Sequence, residues 1–338
     1  MPRILVDFPT LPDTLEQLRT IPDVQVDVVA DPGMSGPLTL PAARLADVEL
    51  LLCTFPPKNL EDMPDLRFIQ ISSSGYTQLF GLGLVEKGVR ASNARGVFDV
   101  PIAEWNLAMM INLHRDLRRM IRNQEAGNWE KDDRFQRSVR GKVVGFWGYG
   151  GIARETARQA KALGMTVHTL TRSGVHPRTD IYCKPGTGDP QGVLPDRVFS
   201  PAETETFLSG LDFLVLSLPL TKATEGLLGE AELRALQPTA FLLNPARGPI
   251  VQEAALIRAL TEDWFAGAAL DTHYHYPMPP DHPLWSMPNV IMTPHISGSS
   301  GGDYYLPAIW DIFIQNVNRY RQGQPLLNEL SAKELMGQ

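Results

Sequence analysis

The sequence predicts an α/β protein of two doubly wound domains, each a parallel sheet with helices on both faces, one of them a Rossmann dinucleotide-binding domain. Short apolar runs alternate with helical patterns along nearly the whole 338-residue chain. A long helical stretch near residue 100 interrupts the alternation once, and the second series then opens with a glycine-rich turn. A chain of this length also has room for about two domains.

The first predicted domain consists of residues 1–99 together with the C-terminal segment 299–338. Its strands are the apolar runs "RILVDF", "VQVDVV", "ELLLC" and "RFIQIS". The segments "DTLEQLRTI", "PAARLADV" and "QLFGLGLVEKG" are predicted helices. The last helix, "YYLPAIWDIFIQNVNRYRQG", is expected to return to this domain.

The second predicted domain covers 100–298 and is expected to begin with one long helix, "VPIAEWNLAMMINLHRDLRRMIRNQEAGNWE". A strand, glycine turn, helix and strand follow in "KVVGFWGYGGIARETARQAKALGMTVHTLTRS". Further strands are "FLVLSL", "AFLLNPA", "FAGAALD" and "VIMTP". Residues 174–199 are rich in Pro and Gly without periodicity, which indicates a long surface loop inserted into this domain.

Composition narrows the class of partner. The net charge of -7 offers no basic surplus for phosphates, so we expect neither a nucleic-acid nor a membrane partner. No apolar run reaches the ~18 residues of a membrane span. The N-terminus "MPRILVDF" lacks the apolar core of a signal peptide, and we expect a cytoplasmic protein.

The turn "GFWGYGGIA" has the spacing of a dinucleotide-binding turn. Gly148 and Gly150 permit a tight turn and close approach of the backbone to a pyrophosphate, and Ala153 is small enough for helix–strand packing. Gly151 and Ile152 open the helix whose amides would face the phosphates. The alternatives are a tight turn without a ligand or an adenosyl-methionine site.

The choice between NAD and NADP depends on the end of the next strand, "TLTRS". An NAD site usually has a carboxylate there for the ribose 2′-hydroxyl, and none is present. Arg172 can instead bind a 2′-phosphate, and Ser173 can add a hydroxyl, so NADP is favoured. Alternatively, Arg172 is simply solvated or stacks on adenine.

A set of motifs covers nearly the whole chain in a fixed order: "SSSGYTQL", "VPIAEWNLAMM", "GYGGIA", "SLPLTKAT", "LNPARGPIVQEAAL", "GAALD" and "DHPLWSMPNVIMTPHISGSS". With these, the chain resembles the D-2-hydroxyacid dehydrogenases, which include glyoxylate/hydroxypyruvate reductases, phosphoglycerate dehydrogenases and formate dehydrogenases. The resemblance implies NAD(P)-dependent reduction of a 2-oxo acid to a D-2-hydroxy acid. It also implies a homodimer formed through the second domain.

The resemblance implies a role for each matching position. Arg247 corresponds to the arginine that binds the substrate carboxylate and polarises its carbonyl, and a planar guanidinium suits a 2-oxo acid. His295 corresponds to the family's general acid, and a histidine suits this role because its pKa lies near working pH. The remaining implied contacts are the amides of Ser74 and Gly75 for the carboxylate, Asp271 for the nicotinamide carboxamide, and Leu218, Pro219 and Ala246 along the cofactor.

The sequence departs from the family beside its general acid. Most members carry a glutamate immediately before the proline of this segment, paired with the histidine. Here that residue is Tyr276, and 272–280 contains no carboxylate. A neutral phenol cannot raise the pKa of His295 as a carboxylate would, so reduction should fall as pH rises through roughly 6–7. His273 and His275 are alternative sources of a second imidazole.

The sequence permits three other interpretations. A metal site would use His273, His275, His282 and His295, but no Cys or carboxylate completes the set, and no metal is expected. Formate dehydrogenases would place an asparagine where Phe98 stands, and Phe98 instead suggests a pocket with an apolar wall for a larger 2-oxo acid. A dinucleotide-binding sensor that has lost efficient catalysis is the alternative function, and Tyr276 is the feature that favours it.

Overall fold

The fold consists of two parallel β-sheets with their connecting helices. The computed structural model describes residues 1–337. Most apolar runs of the sequence become strands that are buried on both faces, as expected for parallel sheets covered by helices, while the edge strands are partly exposed. The strands are β1 (Arg3–Asp7), β2 (Gln25–Val28), β3 (Val48–Cys53), β4 (Phe68–Ile71), β5 (Arg90–Ser92), β6 (Val143–Trp147), β7 (Thr166–Leu170), β8 (Arg197–Phe199), β9 (Phe213–Leu216), β10 (Phe241–Asn244), β11 (Gly267–Leu270) and β12 (Val290–Met292).

The helices connect these strands and cover the sheets. They are α1 (Pro12–Arg19), α2 (Ala42–Leu45), α3 (Asp99–Arg115), α4 (Leu117–Glu125), α5 (Gly151–Ala162), α6 (Thr204–Ser209), α7 (Glu230–Arg234), α8 (Glu253–Thr261), α9 (Tyr305–Arg321) and α10 (Ala332–Leu335). Within residues 1–337, no helix combines the length and the apolarity that crossing a membrane requires.

The first unit comprises 1–98, 179–184 and the chain from Ser300 onward. Its five-stranded parallel sheet has the order β2-β1-β3-β4-β5. Helix α9 buries Trp310 and Phe313, and the Phe313 ring stacks on Phe68 of β4 with centroids 6.3 Å apart. The last long helix therefore returns to this unit.

The second unit comprises 99–178 and 185–299. Its seven-stranded parallel sheet has the order β12-β11-β10-β9-β6-β7-β8, and helix α5 packs three fully buried alanines, Ala153, Ala157 and Ala160, into its core. The strand order reverses beside β6, which is where open α/β sheets bind ligands at their carboxyl edge. The predicted fold class of two doubly wound parallel-sheet domains is confirmed.

Two helix predictions are wrong. The segment "QLFGLGLVEKG" forms turns instead of a helix, because Gly81, Gly83 and Gly88 take positive φ angles of 75°, 67° and 65°. The long helix beginning near residue 100 is two helices. Asp116 has φ 46° between α3 and α4, and its carboxylate accepts a hydrogen bond from Arg119 N at 3.3 Å, which caps α4.

The interpretation of 174–199 as a surface loop inserted into the second domain is correct only in part. Tyr182 is 2% exposed and belongs to the first unit, where its hydroxyl donates to Asp311 Oδ2 at 2.7 Å. The parts of this segment on either side of 179–184 belong to the second unit, and its last residues form β8 at the sheet edge. Because the segment has no periodicity, the sequence did not indicate that its residues are divided between the two units.

Candidate active site

The predicted residues of the second unit lie beyond the carboxyl ends of neighbouring strands. Arg247 follows β10, Asp271 follows β11 and His295 follows β12. Because the strands are parallel, these ends share one edge of the sheet. The glycine turn after β6 and the Leu218–Pro219 pair after β9 lie along the same edge.

Asn244, the last residue of β10, shapes the turn that carries Arg247. The buried Asn244 side chain donates to Arg247 O at 2.9 Å and accepts from the backbone amides of Ala246 and Arg247 at 3.1 and 3.2 Å. The turn leaves Arg247 exposed and Ala246 half-buried. Asn244 was not among the residues predicted from the sequence, although an asparagine ending a strand before Pro is typical of such a turn.

Gly248 lets the Arg247 turn approach the segment after β11. A Cβ at Gly248 would lie 2.5 Å from the backbone carbon of His273, so only glycine permits the contact. His273 is 6% exposed, and its Nε2 donates to Thr293 O at 2.8 Å, two residues before His295. The backbone and imidazole of His273 therefore join the Arg247 turn to the His295 turn.

Asp271 fixes the turn of His295. Its fully buried carboxylate accepts from Thr293 Oγ1 at 2.6 Å, from Ile296 N at 2.9 Å, and from both the backbone amide and the hydroxyl of Ser297. The backbone of His295 has φ 58°, and its N–H donates to Asp271 O at 2.8 Å. The turn thus holds a non-glycine residue in the left-handed region, a strained conformation typical of functional sites.

The carboxylate of Asp271 is already occupied by donors of its own chain. A carboxylate offers about four lone-pair positions, and these contacts use all of them. The expected contact between Asp271 and the nicotinamide carboxamide stays a prediction.

Tyr276 touches His295 without a hydrogen bond. The two rings have centroids 5.6 Å apart and are tilted by 56°. The Tyr276 hydroxyl accepts from His273 N at 3.1 Å, and within residues 1–337 no hydrogen bond joins the phenol to the His295 imidazole. The phenol therefore contributes packing but no charge.

The pKa of His295 lies below its ordinary value of 6.5 because partial burial disfavours the imidazolium. The carboxylate of Asp271 opposes this shift. Electrostatic interactions with Arg247 and His273 lower the pKa further, which places both side chains within electrostatic reach of His295. No carboxylate pairs with the imidazole ring in the described part of the chain.

His275 and His282, which follow β11, lie near Glu253. His282 Nε2 lies 2.8 Å from Glu253 Oε1, and His275 Nε2 lies 3.9 Å from the same oxygen. Across residues 1–337, no group of three or more His, Cys, Asp or Glu side chains is placed to hold a metal ion. His275 and His282 therefore belong to a contact with the start of α8.

The glycine turn fits a dinucleotide. Gly148 has φ 91°, and a Cβ there would lie 2.6 Å from Ser217 O, so β6 and β9 can approach only if this residue is glycine. A Cβ at Gly150 would meet no atom within 4 Å, so the space beside the turn is open. Gly151 and Ile152 begin α5, whose first amides lack partners within the helix and can receive phosphate oxygens.

The carboxyl end of β7, where the cofactor's ribose or its 2′-phosphate is predicted to bind, is open to solvent. Arg172 and Ser173 are exposed and follow β7 directly. His176 Nε2 donates to Ser173 O at 2.6 Å and so fixes this corner. His176 was not predicted from the sequence, because nothing in the Pro/Gly-rich segment indicates that it folds back.

The substrate residues predicted at the other end of the chain belong to the first unit. The backbone of Ser74 is held by Asn93 Nδ2, which donates to Ser74 O at 2.8 Å, and Gly75 is exposed beside it. The ring of Phe98 stacks on Tyr305 with centroids 5.6 Å apart. Phe98 therefore has a partner of its own within this unit.

Comparison with known proteins gives consistent matches. Residues 107–297 match the family described as the NAD-binding domain of D-isomer specific 2-hydroxyacid dehydrogenases. A glyoxylate reductase of Aeropyrum pernix is 30% identical over 311 residues, which cover 88% of this chain and 87% of that protein. A glycerate dehydrogenase of Methylorubrum extorquens is 27% identical over 293 residues, covering 83% and 85%. The crystal structure of the TT0316 protein of Thermus thermophilus has a TM-score of 0.71 at 26% identity and covers 97% of this chain and 100% of that one.

Proposed function

Because the chain belongs to the D-isomer specific 2-hydroxyacid dehydrogenases, whose cofactor is NAD or NADP, we propose that it reduces a 2-oxo acid reversibly to the D-2-hydroxy acid. The observation that carries the proposal is the connection through His273. This residue contacts Gly248 of the Arg247 turn and hydrogen bonds to Thr293 of the His295 turn. A guanidinium and an imidazole are thereby held at one edge of the sheet.

Each of the two side chains has a task that its chemistry suits. The guanidinium of Arg247 binds the substrate carboxylate and stabilises negative charge that develops on the carbonyl oxygen. The imidazolium of His295 gives its proton to that oxygen during reduction and takes it back during oxidation. The bound nicotinamide supplies or accepts the hydride.

Tyr276 takes the position of the usual glutamate and changes the electrostatics. Its ring packs against His295, and its hydroxyl is engaged by His273 N. The general acid therefore works with a depressed pKa, and the buried carboxylate of Asp271 is the negative charge that acts on it.

NADP is the preferred cofactor in this proposal. Arg172 and Ser173 stand exposed after β7, where an NAD enzyme usually has a carboxylate. A guanidinium and a hydroxyl at this corner suit a 2′-phosphate. A carboxylate would repel that phosphate.

A homodimer through the second unit is part of the proposal. An apolar cleft of about 470 Å³ is lined by Leu117, Ile121, Leu284 and Trp285, among others. Leu117, Ile121 and Trp285 are 40%, 46% and 45% exposed, and exposed apolar clusters of this kind mark interaction surfaces. Light scattering of the chain and of Ile121→Glu tests this, since the charge should convert a dimer to a monomer.

A turnover assay tests the reaction. The full chain is given NADPH or NADH with glyoxylate, hydroxypyruvate and phenylpyruvate, and cofactor oxidation is followed at low and neutral pH. We expect turnover with NADPH that Arg247→Gln and His295→Gln abolish. Cofactor binding without reduction of any of these acids would favour the sensor, for which the absent glutamate is the supporting observation.

A further inference from the structure

The inserted segment 174–199 is fastened to the glycine turn itself. The hydroxyl of Tyr149, between the two glycines, donates to Asp189 Oδ2 at 2.8 Å. Asp189 is 4% exposed, and its carboxylate also accepts from the amides of Val193 and Leu194, both at 3.0 Å. The insertion is therefore a fixed neighbour of the turn that receives the phosphates.

A second attachment comes from the first turns of α5. The buried guanidinium of Arg154 donates to Tyr149 O at 3.2 Å and to His176 O at 2.6 Å, and it also contacts Asp189 O. The two arms of the insertion, at residues 176 and 189, are thus held beside the start of the helix. Arg178 lies between these attachments, since its N–H donates to Pro190 O at 2.9 Å.

The side chain of Arg178 has no fixed partner. It is half-buried, yet within residues 1–337 its guanidinium makes no hydrogen bond, ion pair or aromatic contact. Taking a guanidinium partly out of water is unfavourable unless an anion compensates, so the position calls for an anionic ligand.

The carboxylate of Asp99 is the negative charge that acts on Arg178. Asp99, the first residue of α3, lies so close to Gly151 that a Cβ there would be 2.5 Å from Asp99 Cγ. The pKa of Asp99 is raised to about 6, mainly by desolvation, and the nearby charge of Arg178 opposes that rise. The carboxylate beside the first residue of α5 is thus within electrostatic reach of Arg178.

We propose that Arg178 binds the diphosphate of the dinucleotide, and that the nearby charge of Asp99, which forms no ion pair with this arginine, competes with the phosphates for it. The proposal rests on the dinucleotide-binding role of the second unit. A guanidinium carried by the insertion can grip two phosphate oxygens, in addition to the amides that begin α5. It assigns the insertion a function in cofactor binding.

Calorimetric titration with ADP-ribose, NADPH and NADH tests the proposal on the full chain. ADP-ribose contains the diphosphate but neither a 2′-phosphate nor a nicotinamide. We expect Arg178→Met to weaken all three ligands by the same factor, about 10–100-fold, as for loss of a charged hydrogen-bond pair. Arg178→Lys should recover part of this loss, because the charge remains without the planar fork.

Two further variants sharpen the result. Arg134→Met removes an arginine that is paired on the surface with Asp132, and it should leave all three affinities unchanged. Asp99→Asn should tighten all three ligands a few-fold, because the competing carboxylate is gone.

Unchanged affinity for ADP-ribose in Arg178→Met would overturn the proposal. A loss confined to NADPH would also overturn it, since that places Arg178 at the 2′-phosphate. Weaker binding by Asp99→Asn would remove the role given to Asp99. A chain that binds these ligands through Arg178 but reduces no 2-oxo acid would leave this inference standing and refute the proposed reaction.

Discussion

The ring of Tyr276 lies 5.6 Å from the ring of His295, yet the Tyr276 hydroxyl is bound by the backbone N–H of His273. The aromatic residue therefore fills the place of a charged partner without hydrogen bonding to the imidazole. Partial burial then dominates, and the pKa of His295 falls below 6.5. This relationship determines how the proposed reaction should depend on pH.

We expect reduction to be fastest in acid and to decline as pH rises. His295 donates a proton only as imidazolium, and a lowered pKa means that this form is lost at a lower pH than for a free histidine. Oxidation of the hydroxy acid needs neutral imidazole and should rise over the same range. The measurement is kcat/KM for both directions from about pH 5 to about pH 9, where a flat reduction profile contradicts the assignment.

Replacing Tyr276 with glutamate should extend reduction to higher pH. A carboxylate beside His295 favours the imidazolium and should raise its pKa by about one unit or more. Tyr276→Gln is the matched neutral control and should keep the wild-type profile. If both variants shift alike, packing and not charge sets the pKa of His295.

Asp271→Asn should impair catalysis in two ways. The amide cannot accept from both Thr293 and Ser297, so the turn of His295 loosens. The charge that supports the imidazolium also disappears, and the pKa of His295 should fall further. We expect kcat to drop at least about tenfold, with an acid shift of the profile and a stability loss of ~1–3 kcal/mol for the unsatisfied donors.

The dinucleotide KM distinguishes this explanation from a contact with the cofactor. If Asp271 acts mainly through the turn, Asp271→Asn changes the pH profile and kcat while the KM for NADPH stays near its wild-type value. A large rise in that KM with an unshifted profile would instead support the carboxamide contact.

The fold was largely predictable because most of the strands are buried on both faces. Their sequences are continuous apolar runs such as "VELLLC" at β3, and local pattern alone locates them. Errors occurred where backbone conformation overrides pattern. Asp116 adopts a left-handed conformation inside an apparently uninterrupted helix, and three glycines turn the segment after Leu79.

The sequence could predict the candidate side chains of the site, but not the hydrogen bonds that hold their turns in place. Arg247 and His295 belong to recognisable motifs at strand ends. The bonds of Asn244, His273 and Asp189 depend on which loops meet, and that is a property of the sheet order. No periodicity in 174–199 could indicate that its aspartate would bind the tyrosine of the glycine turn.

Arg172→Leu should reduce the preference for NADPH. An exposed guanidinium that binds a 2′-phosphate contributes ~1.5–3 kcal/mol, or about 10–100-fold in affinity. NADH lacks that phosphate, so its binding to the variant should be unchanged and serves as the internal control. Equal weakening of both cofactors would mean that Arg172 stacks on the adenine.

Gly248→Ala tests whether His273 aligns Arg247 and His295, the two side chains proposed to be catalytic. The added methyl carbon would lie 2.5 Å from the backbone carbon of His273, and neither backbone can yield without moving its turn. We expect kcat to fall more than about tenfold and the free energy of unfolding to drop by ~1–3 kcal/mol, as for overpacking. Gly210→Ala is the control, since its methyl carbon would meet its nearest neighbour at 3.6 Å, an ordinary contact. Full activity in Gly248→Ala would mean that the positions of Arg247 and His295 do not depend on this contact.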